Sequence, residues 1–308
     1  MKKDFLTLRD LSVEEINAVL DRASELKSGK DVSARDRVVS TCPLIGKSIG
    51  LFFEKASTRT RISFQTGIYQ LGAQAVDISP GESQLGRGET IEDTAKVLSR
   101  YLHGIVIRTF AHDTIVKFAK NASIPVINGL TDLHHPCQVL ADLLTIKEKK
   151  GGLKDIRLAY IGDGNNVANS LIEASALTEI DLVLACPKDH APDAGIYETA
   201  RSEGAKVKLL IDPEEAVKGA DALYTDVWVS MGQEKEHEKK KQTLKGYQIN
   251  KGLVSLAKAD AIVMHCLPAH RGEEITNDVM DSPQSVVFDQ AENRLHTQKA
   301  LLEMLISS

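Results

Sequence analysis

The chain has 308 residues, of which 42% are hydrophobic and 26% charged, a balance that excludes disordered, collagen-like and coiled-coil proteins. Thirty-eight Lys and Arg against 43 Asp and Glu leave a net charge of −5, no electrostatic footprint for nucleic acid. No apolar run approaches the roughly 18 residues of a membrane-spanning helix, and the charged start MKKDFLTLRD lacks a signal peptide's apolar core, so a cytoplasmic protein is expected.

At roughly 100–200 residues per domain, two domains are expected. Cys42, Cys137, Cys186 and Cys266 show no C-x-x-C spacing, which argues against a zinc knuckle or a disulfide framework. The segment 7–26 reads as helix: Ser12 followed by Glu15 makes a capping box, and Ile16, Val19, Leu20 and Ala23 recur on one face. Strand patterns at 48–54, 74–79, 104–109 and 125–130 then alternate with helix patterns at 60–71, 90–101 and 114–122. A further helix runs from Pro136 to the Gly151-Gly152 pair, which marks the expected boundary between a first domain, 1–150, and a second, 151–293. Beyond it IRLAYIGD, DLVLACP, KVKLLI, DALYTDV, AIVMHCLP and SVVFDQ read as strands, with helices at 168–177, 194–203, 214–217 and 295–306. Such alternation with short connections predicts the α/β class, two doubly wound parallel-sheet domains in series.

In open parallel sheets ligands bind beyond the carboxyl ends of the strands, so chemistry is expected just after each apolar run. The first strand runs into Ser57-Thr58-Arg59-Thr60-Arg61 and a helix. Hydroxyls, guanidiniums and exposed amides at a helix start make a phosphate cradle; a capped helix with surface-paired arginines is the structural alternative. The third strand ends at Arg108, and the fourth leads to His134-His135-Pro136-Cys137-Gln138 at another helix start. Cationic or donor groups at three strand ends of one domain fit one small, multiply charged anion. In the second half, Gly162-Asp163-Gly164-Asn165-Asn166 has the outline of a dinucleotide fingerprint, but Val167 stands in place of its last glycine. A tight strand-to-helix turn is the expected reading. Later strand ends carry Asp226 through Gly232 (D-V-W-V-S-M-G) and His265 through Pro268 (H-C-L-P), and Arg294 falls between the last strand and the last helix. Cys266 alone reads as a small buried apolar residue; beside a proline turn at a strand end it reads as a cleft-facing thiol. The charged run 233–242 reads as a solvated segment or, next to Ser230-Met231-Gly232, as part of a lid.

S-T-R-T-R at 57–61, H-P-x-Q at 135–138, D-x-x-x-S-M-G at 226–232 and H-C-L-P at 265–268, in that order, resemble the ornithine carbamoyltransferase family. Residues 84–101 and 288–300 do so as well, so the resemblance spans essentially the whole chain. It implies a carbamoyl-phosphate domain and an ornithine domain facing each other across a cleft, with the last helix, 294–308, packing back on the first domain. It also implies transfer of the carbamoyl group to the δ-amine of L-ornithine, giving L-citrulline and phosphate in arginine metabolism. The implied partners are these small molecules and other copies of the chain in a homotrimer or its multiples; no metal, organic cofactor, nucleic acid or membrane is implied.

By the same resemblance Ser57, Thr58, Arg59 and Thr60 hold the phosphate, and Arg108 serves phosphate and carbonyl together. His135 donates to the carbonyl oxygen, Gln138 takes the carbamoyl amide, and Cys266, Leu267 and Arg294 complete that shell. Gln84 reaches a neighbouring subunit's site. Asp226, Asn166, Ser230 and Met231 hold the α-ammonium and α-carboxylate of ornithine, and Cys266 manages the δ-amine proton. Arg61, pointing away from a common ligand, is expected to be structural. Two rivals stand beside this reading: an NAD-dependent oxidoreductase built on the Gly162 turn, and a non-catalytic binding paralogue. The first leaves the S-T-R-T, H-P-C-Q and H-C-L-P blocks unexplained, and the second is disfavoured by the complete set of charged strand ends.

Overall fold

The structure is a computed structural model that describes residues 2–29, 42–79, 88–229 and 237–307. By backbone contacts the chain divides into two units, Met1–Ala141 with Glu292–Ser308, and Asp142–Ala291.

In the first unit α1 (Val13–Ser28) opens with the expected capping box: the Glu15 amide donates to Ser12 Oγ at 3.2 Å and the Ser12 amide to Glu15 Oε2 at 2.8 Å. Then β1 (Ser48–Phe53), β2 (Gln74–Ile78), β3 (Gly104–Arg108) and β4 (Val126–Leu130) form a parallel sheet in the order β2-β1-β3-β4. The strands alternate with α2 (Thr58–Gln70), α3 (Ile91–Leu98), α4 (His112–Asn121) and α5 (Pro136–Lys150). Strands β3 and β4 are buried along their whole length, which is why they read as near-continuous apolar runs. Ile105, Ile107, Ile115, Phe118 and Val126 lie in one core cluster with Phe52.

In the second unit β5 (Arg157–Ile161), β6 (Asp181–Ala185), β7 (Val207–Leu210), β8 (Ala222–Thr225) and β9 (Ile262–His265) form a parallel sheet ordered β7-β6-β5-β8-β9. Its helices include α6 (Asn166–Leu177), α7 (Ala194–Ser202), α8 (Pro213–Val217), α9 (His237–Leu244), α10 (Lys251–Val254) and α11 (Asn277–Met280). The last helix, α12 (Val287–Ile306), begins in this unit and ends in the first. Its later residues pack there: a Cβ placed on Gly67 of α2 would stand 3.1 Å from Lys299 Cγ and 3.5 Å from Leu295 Cδ1. None of the described helices is long and apolar enough to cross a membrane.

Two expectations, a strand at SVVFDQ and Arg294 ahead of the last helix, differ from the structure. SVVFDQ is no strand of its own: Ser285 makes one isolated bridge to Val263, and the helical ladder starts with the Gln290 amide on the Val286 carbonyl. The β-branched Val286-Val287 pair mimics a strand, but the stretch beyond it lacks Gly and Pro and propagates as helix. Arg294 consequently sits inside α12. By backbone contacts the two units divide within α5, at Ala141/Asp142, upstream of the Gly151-Gly152 pair that ends the helix. The later half of α5 bonds within the second unit, Gln290 Nε2 to Asp142 Oδ1 at 2.7 Å, Lys149 to Asp289 at 2.7 Å and Lys150 to Asp260 at 2.9 Å. At Gly164 the tight-turn reading holds: a Cβ would lie 2.2 Å from the nitrogen of Pro192 and 2.4 Å from the carbonyl carbon of Ala191, so backbone crossing close over the turn requires glycine.

Candidate functional site

Each sheet has one place where consecutive crossovers depart in opposite directions, between β1 and β3 in the first unit and between β5 and β8 in the second. Ligand crevices form beyond the carboxyl ends of the strands at such points. Both carry a polar cluster.

In the first unit α2 starts directly after β1. Ser57 is its N-cap, accepting from the Thr60 amide at 3.3 Å, and its first turn contains no acidic residue. Thr58 and Arg59 are exposed there, whereas Thr60 is buried. A parallel-register shift between Ile107 and Arg108 interrupts the pairing of β3 with β4, a bulge of the kind that redirects a side chain. Arg108 Nη1 reaches Thr60 Oγ1 at 3.5 Å, and from α12 Arg294 Nη2 donates to the same oxygen at 2.9 Å. Arg294 Nη1 donates to Gln138 Oε1 on α5. Arg108, His135, Gln138 and Arg294 are all buried. Burial first, then the charges of Arg294 and Arg108, hold the His135 pKa well below the usual imidazole value, so the ring is neutral near pH 7. The cluster therefore gathers two guanidiniums, a neutral imidazole, two hydroxyls and the open start of a helix, a cradle for a small anion. Arg61 turns away as expected, to Asp77 at 2.9 Å, with its guanidinium 5.1 Å from the Phe53 ring centre. Lys55 was not anticipated. It is buried just after β1, paired with Asp132 and 4.5 Å from the centre of the Phe110 ring.

In the second unit the cluster is built on a carboxylate. Asp226, just after β8, is buried. Its Oδ1 accepts from the Val227 amide and from Cys266 Sγ, both at 2.7 Å, and its Oδ2 accepts from Asn165 Nδ2 at 2.7 Å. Neither the Cys266 contact nor the Asn165 contact of Asp226 was anticipated. Asn166 is the first residue of α6 and half-buried. Cys266 and Leu267, expected on the carbamoyl side, belong to the second unit's cluster. Leu267 takes a left-handed φ of 58°, and its amide donates to His265 Nδ1 at 2.9 Å. That contact makes Nδ1 an acceptor, so Nε2 carries the proton that faces Glu274 Oε1 at 3.1 Å. Asp163, at the end of β5, is paired with Lys240 of α9 at 2.7 Å and lies 3.5 Å from His190; burial raises its pKa while Lys240 opposes the rise. Asp226, His265 and Cys266 bring three possible metal-ligand atoms within 4.8 Å of one another, but each is engaged in the hydrogen bonds just given, which makes the set a hydrogen-bonded network. Gln84, Ser230 and Met231 lie outside the described residues, as do residues 233–236 of the expected lid segment 233–242.

A cationic cradle at the switch point of one parallel-sheet unit and a fixed buried carboxylate at that of the other define a two-substrate α/β enzyme, one unit suited to an anion and one to an ammonium. Residues 3–148 match the carbamoyl-phosphate-binding domain of the aspartate/ornithine carbamoyltransferases, and residues 154–305 match their aspartate/ornithine-binding domain. An ornithine carbamoyltransferase of Syntrophus aciditrophicus is 55% identical over 307 residues, covering 99% of this chain and 100% of that relative. The structure of ornithine carbamoyltransferase from Pyrococcus furiosus superposes with a TM-score of 0.91 at 47% identity, covering 99% of this chain and 97% of that one. The anabolic ornithine carbamoyltransferase from Campylobacter jejuni gives 0.90 at 40% identity, covering 98% of each chain. The chain belongs to the aspartate/ornithine carbamoyltransferase family.

Proposed function

We propose that the chain transfers the carbamoyl group of carbamoyl phosphate to the δ-amine of L-ornithine, giving L-citrulline and phosphate. The observation that carries the reading is the buried Arg108–Thr60–Arg294 cluster in the unit that matches the carbamoyl-phosphate domain. The nucleophile is an amine and the leaving group a phosphate that is already activated. A new N–C bond forms, the C–O bond to phosphate breaks, and the amine nitrogen loses one proton. The protein's part is to position both reactants and to stabilise charge moving onto the carbonyl oxygen and the phosphate.

Ser57, Thr58, Arg59 and Thr60 take the phosphate at the start of α2, with Gln84 from a neighbouring copy. Arg108 and Arg294 neutralise the leaving phosphate, and neutral His135 donates to the carbonyl oxygen while Gln138 takes the amide. Cys266 and the Leu267 backbone complete the carbamoyl shell. Asp226 receives the α-ammonium of ornithine, with Asn166, Ser230 and Met231 on its α-amino-acid end. Exchange of Asp226 for Asn is expected to raise the ornithine KM by about 100-fold or more, because a buried charge-to-charge contact is lost, and to leave the KM for carbamoyl phosphate within about twofold. Citrulline formation measured against each substrate in turn tests both the activity and the assignment. An unchanged ornithine KM rejects the role of Asp226, and absence of citrulline from the wild-type chain rejects the function.

The proposed setting is arginine biosynthesis in the cytoplasm, supported by the anabolic relative from Campylobacter jejuni. The proposed assembly is a homotrimer or a multiple of it. Tyr101, Tyr69 and Ile45 of the first unit are 71%, 81% and 72% exposed, which supports burial of that unit's surface against other copies. Light scattering is expected to give three chain masses or a multiple; a monomer at micromolar concentration rejects the assembly.

A further inference from the structure

Asn165 has a defined orientation and a defined target. As N-cap of α6, its Oδ1 accepts from the amides of Val167 at 2.9 Å and Ala168 at 3.3 Å, and the Tyr160 hydroxyl lies 3.2 Å from the same oxygen. Amides donate only, so Oδ1 is fixed as the oxygen and the amide cannot flip. Its Nδ2 then has one direction left, and there it meets Asp226 Oδ2 at 2.7 Å. The other carboxylate oxygen is held by the Val227 amide and Cys266 Sγ. Asp226 is thereby gripped from both ends: β8 and β9 hold Oδ1, and the N-terminus of α6, acting through Asn165, holds Oδ2. A carboxylate gripped at one end alone turns about its last torsion and leaves a buried oxygen unsatisfied.

We propose that Asn165 is a positioning residue, aligning the Asp226 carboxylate with the ammonium of the amino-acid substrate and tying that alignment to the helix start of α6. The proposal rests on the reading of Asp226 as the ammonium acceptor. It assigns to Asn165 no contact with substrate, in contrast to the neighbouring Asn166. The ionisable groups around the pair are Tyr160 on β5, Tyr224 on β8, Cys266 after β9, and Asp163 in the connecting turn with its partners Lys240 on α9 and His190.

Two variants keep the cap and remove the amide donor that reaches Asp226. Asn165→Ser retains an oxygen for the α6 amides, has no N–H for Asp226, and adds no charge. Asn165→Asp retains the cap and sets a second carboxylate against Asp226, so the two share a proton at low pH and repel once it leaves. For Asn165→Ser, kcat/KM for ornithine is expected to fall at least ~10-fold, the typical weight of a hydrogen bond to a charged group, with the KM for carbamoyl phosphate within about twofold. Asn165→Asp is expected to fall at least ~100-fold near pH 8, and its activity relative to wild type to decline as pH rises from about 6 to 9, because the shared proton that imitates the amide donor is lost. A purely structural cap would leave that ratio flat. If both variants stay within about threefold of wild type with a flat ratio, while Asp226→Asn has lost ornithine, the role of Asn165 is overturned. If Asp226→Asn keeps its ornithine KM, the reading of Asp226 fails, and the role of Asn165 with it. Should Asn165→Asp not fold, the KM split of Asn165→Ser decides alone.

Discussion

Exchange of Arg294 for lysine is expected to lower kcat/KM for carbamoyl phosphate by about 100-fold or more, although the positive charge is kept. The guanidinium spans two acceptors on two elements, Gln138 Oε1 on α5 through Nη1 and Thr60 Oγ1 on α2 through Nη2. A lysine ammonium is a point donor and cannot hold both in that fork. One of the two buried oxygens then loses its donor, which costs about 1–3 kcal/mol of stability. The larger effect falls on the transition state, where removing a single preorganised donor typically lowers kcat by ~10²–10³. Arg108 alone cannot compensate, because its contact to Thr60 is 3.5 Å, longer than an ordinary hydrogen bond. Kinetics are read beside thermal unfolding: a folded variant with near-wild-type kcat/KM would falsify the placing of Arg294 in the anion cradle. The KM for ornithine is expected to change little, since the guanidinium lies among carbamoyl-side residues of the first unit.

The regular elements were legible because each obeys a single period. Gly104–Arg108 and Val126–Leu130 are largely apolar and buried throughout, and α1 shows its cap and its buried face in one short stretch. Misreadings arose where local preference and tertiary context disagree. Val286 and Val287 favour a strand by shape, yet only Ser285 finds a strand partner, and the residues after it complete a helix. Two glycines after Lys150 mark where a helix ends, whereas the bonds of its last turns to Asp289 and Asp260 lie outside the reach of local pattern. The candidate site divides in the same way. Most of its members were readable from strand ends, since the carboxyl-end rule needs only the positions of the apolar runs. Their contacts were not: Arg294 meets Thr60 from 234 positions away, and Asn165 meets Asp226 because β5 lies beside β8, a neighbour relation that chain order does not express. Asn165 is an ordinary helix cap, and its contact to Asp226 is made by the amide nitrogen that the cap leaves over.

For the proposed reaction, kcat/KM for ornithine is expected to rise about tenfold per pH unit on the alkaline side of neutrality, until the amine's own pKa is approached. Only the neutral δ-amine has a lone pair for the carbamoyl carbon, and with an ordinary value of about 10.4 just ~10⁻³ of it is neutral near pH 7. That deficit corresponds to ~4–5 kcal/mol, comparable to the whole effect of an oxyanion donor, so it cannot pass unnoticed in the rate. The displaced groups of the two clusters do not supply a rise of this kind. His135 is held well below its usual value by burial and by Arg294 and Arg108, so its titration is over before neutrality. Cys137 is pushed up to about 12 by burial, and burial likewise raises Tyr160 well above 10, so neither begins to ionise in the range. Cys266 is separable by mutation, because its thiol is the one that touches Asp226 Oδ1. Cys266→Ala is expected to lower the rate at every pH while leaving the slope, since the slope belongs to the substrate. A slope that disappears with the thiol would transfer the titration to Cys266. A wild-type profile that stays flat from about pH 6 to 9 contradicts the neutral-amine mechanism outright, because a ~10³-fold change in reactive amine would then leave no trace in the rate.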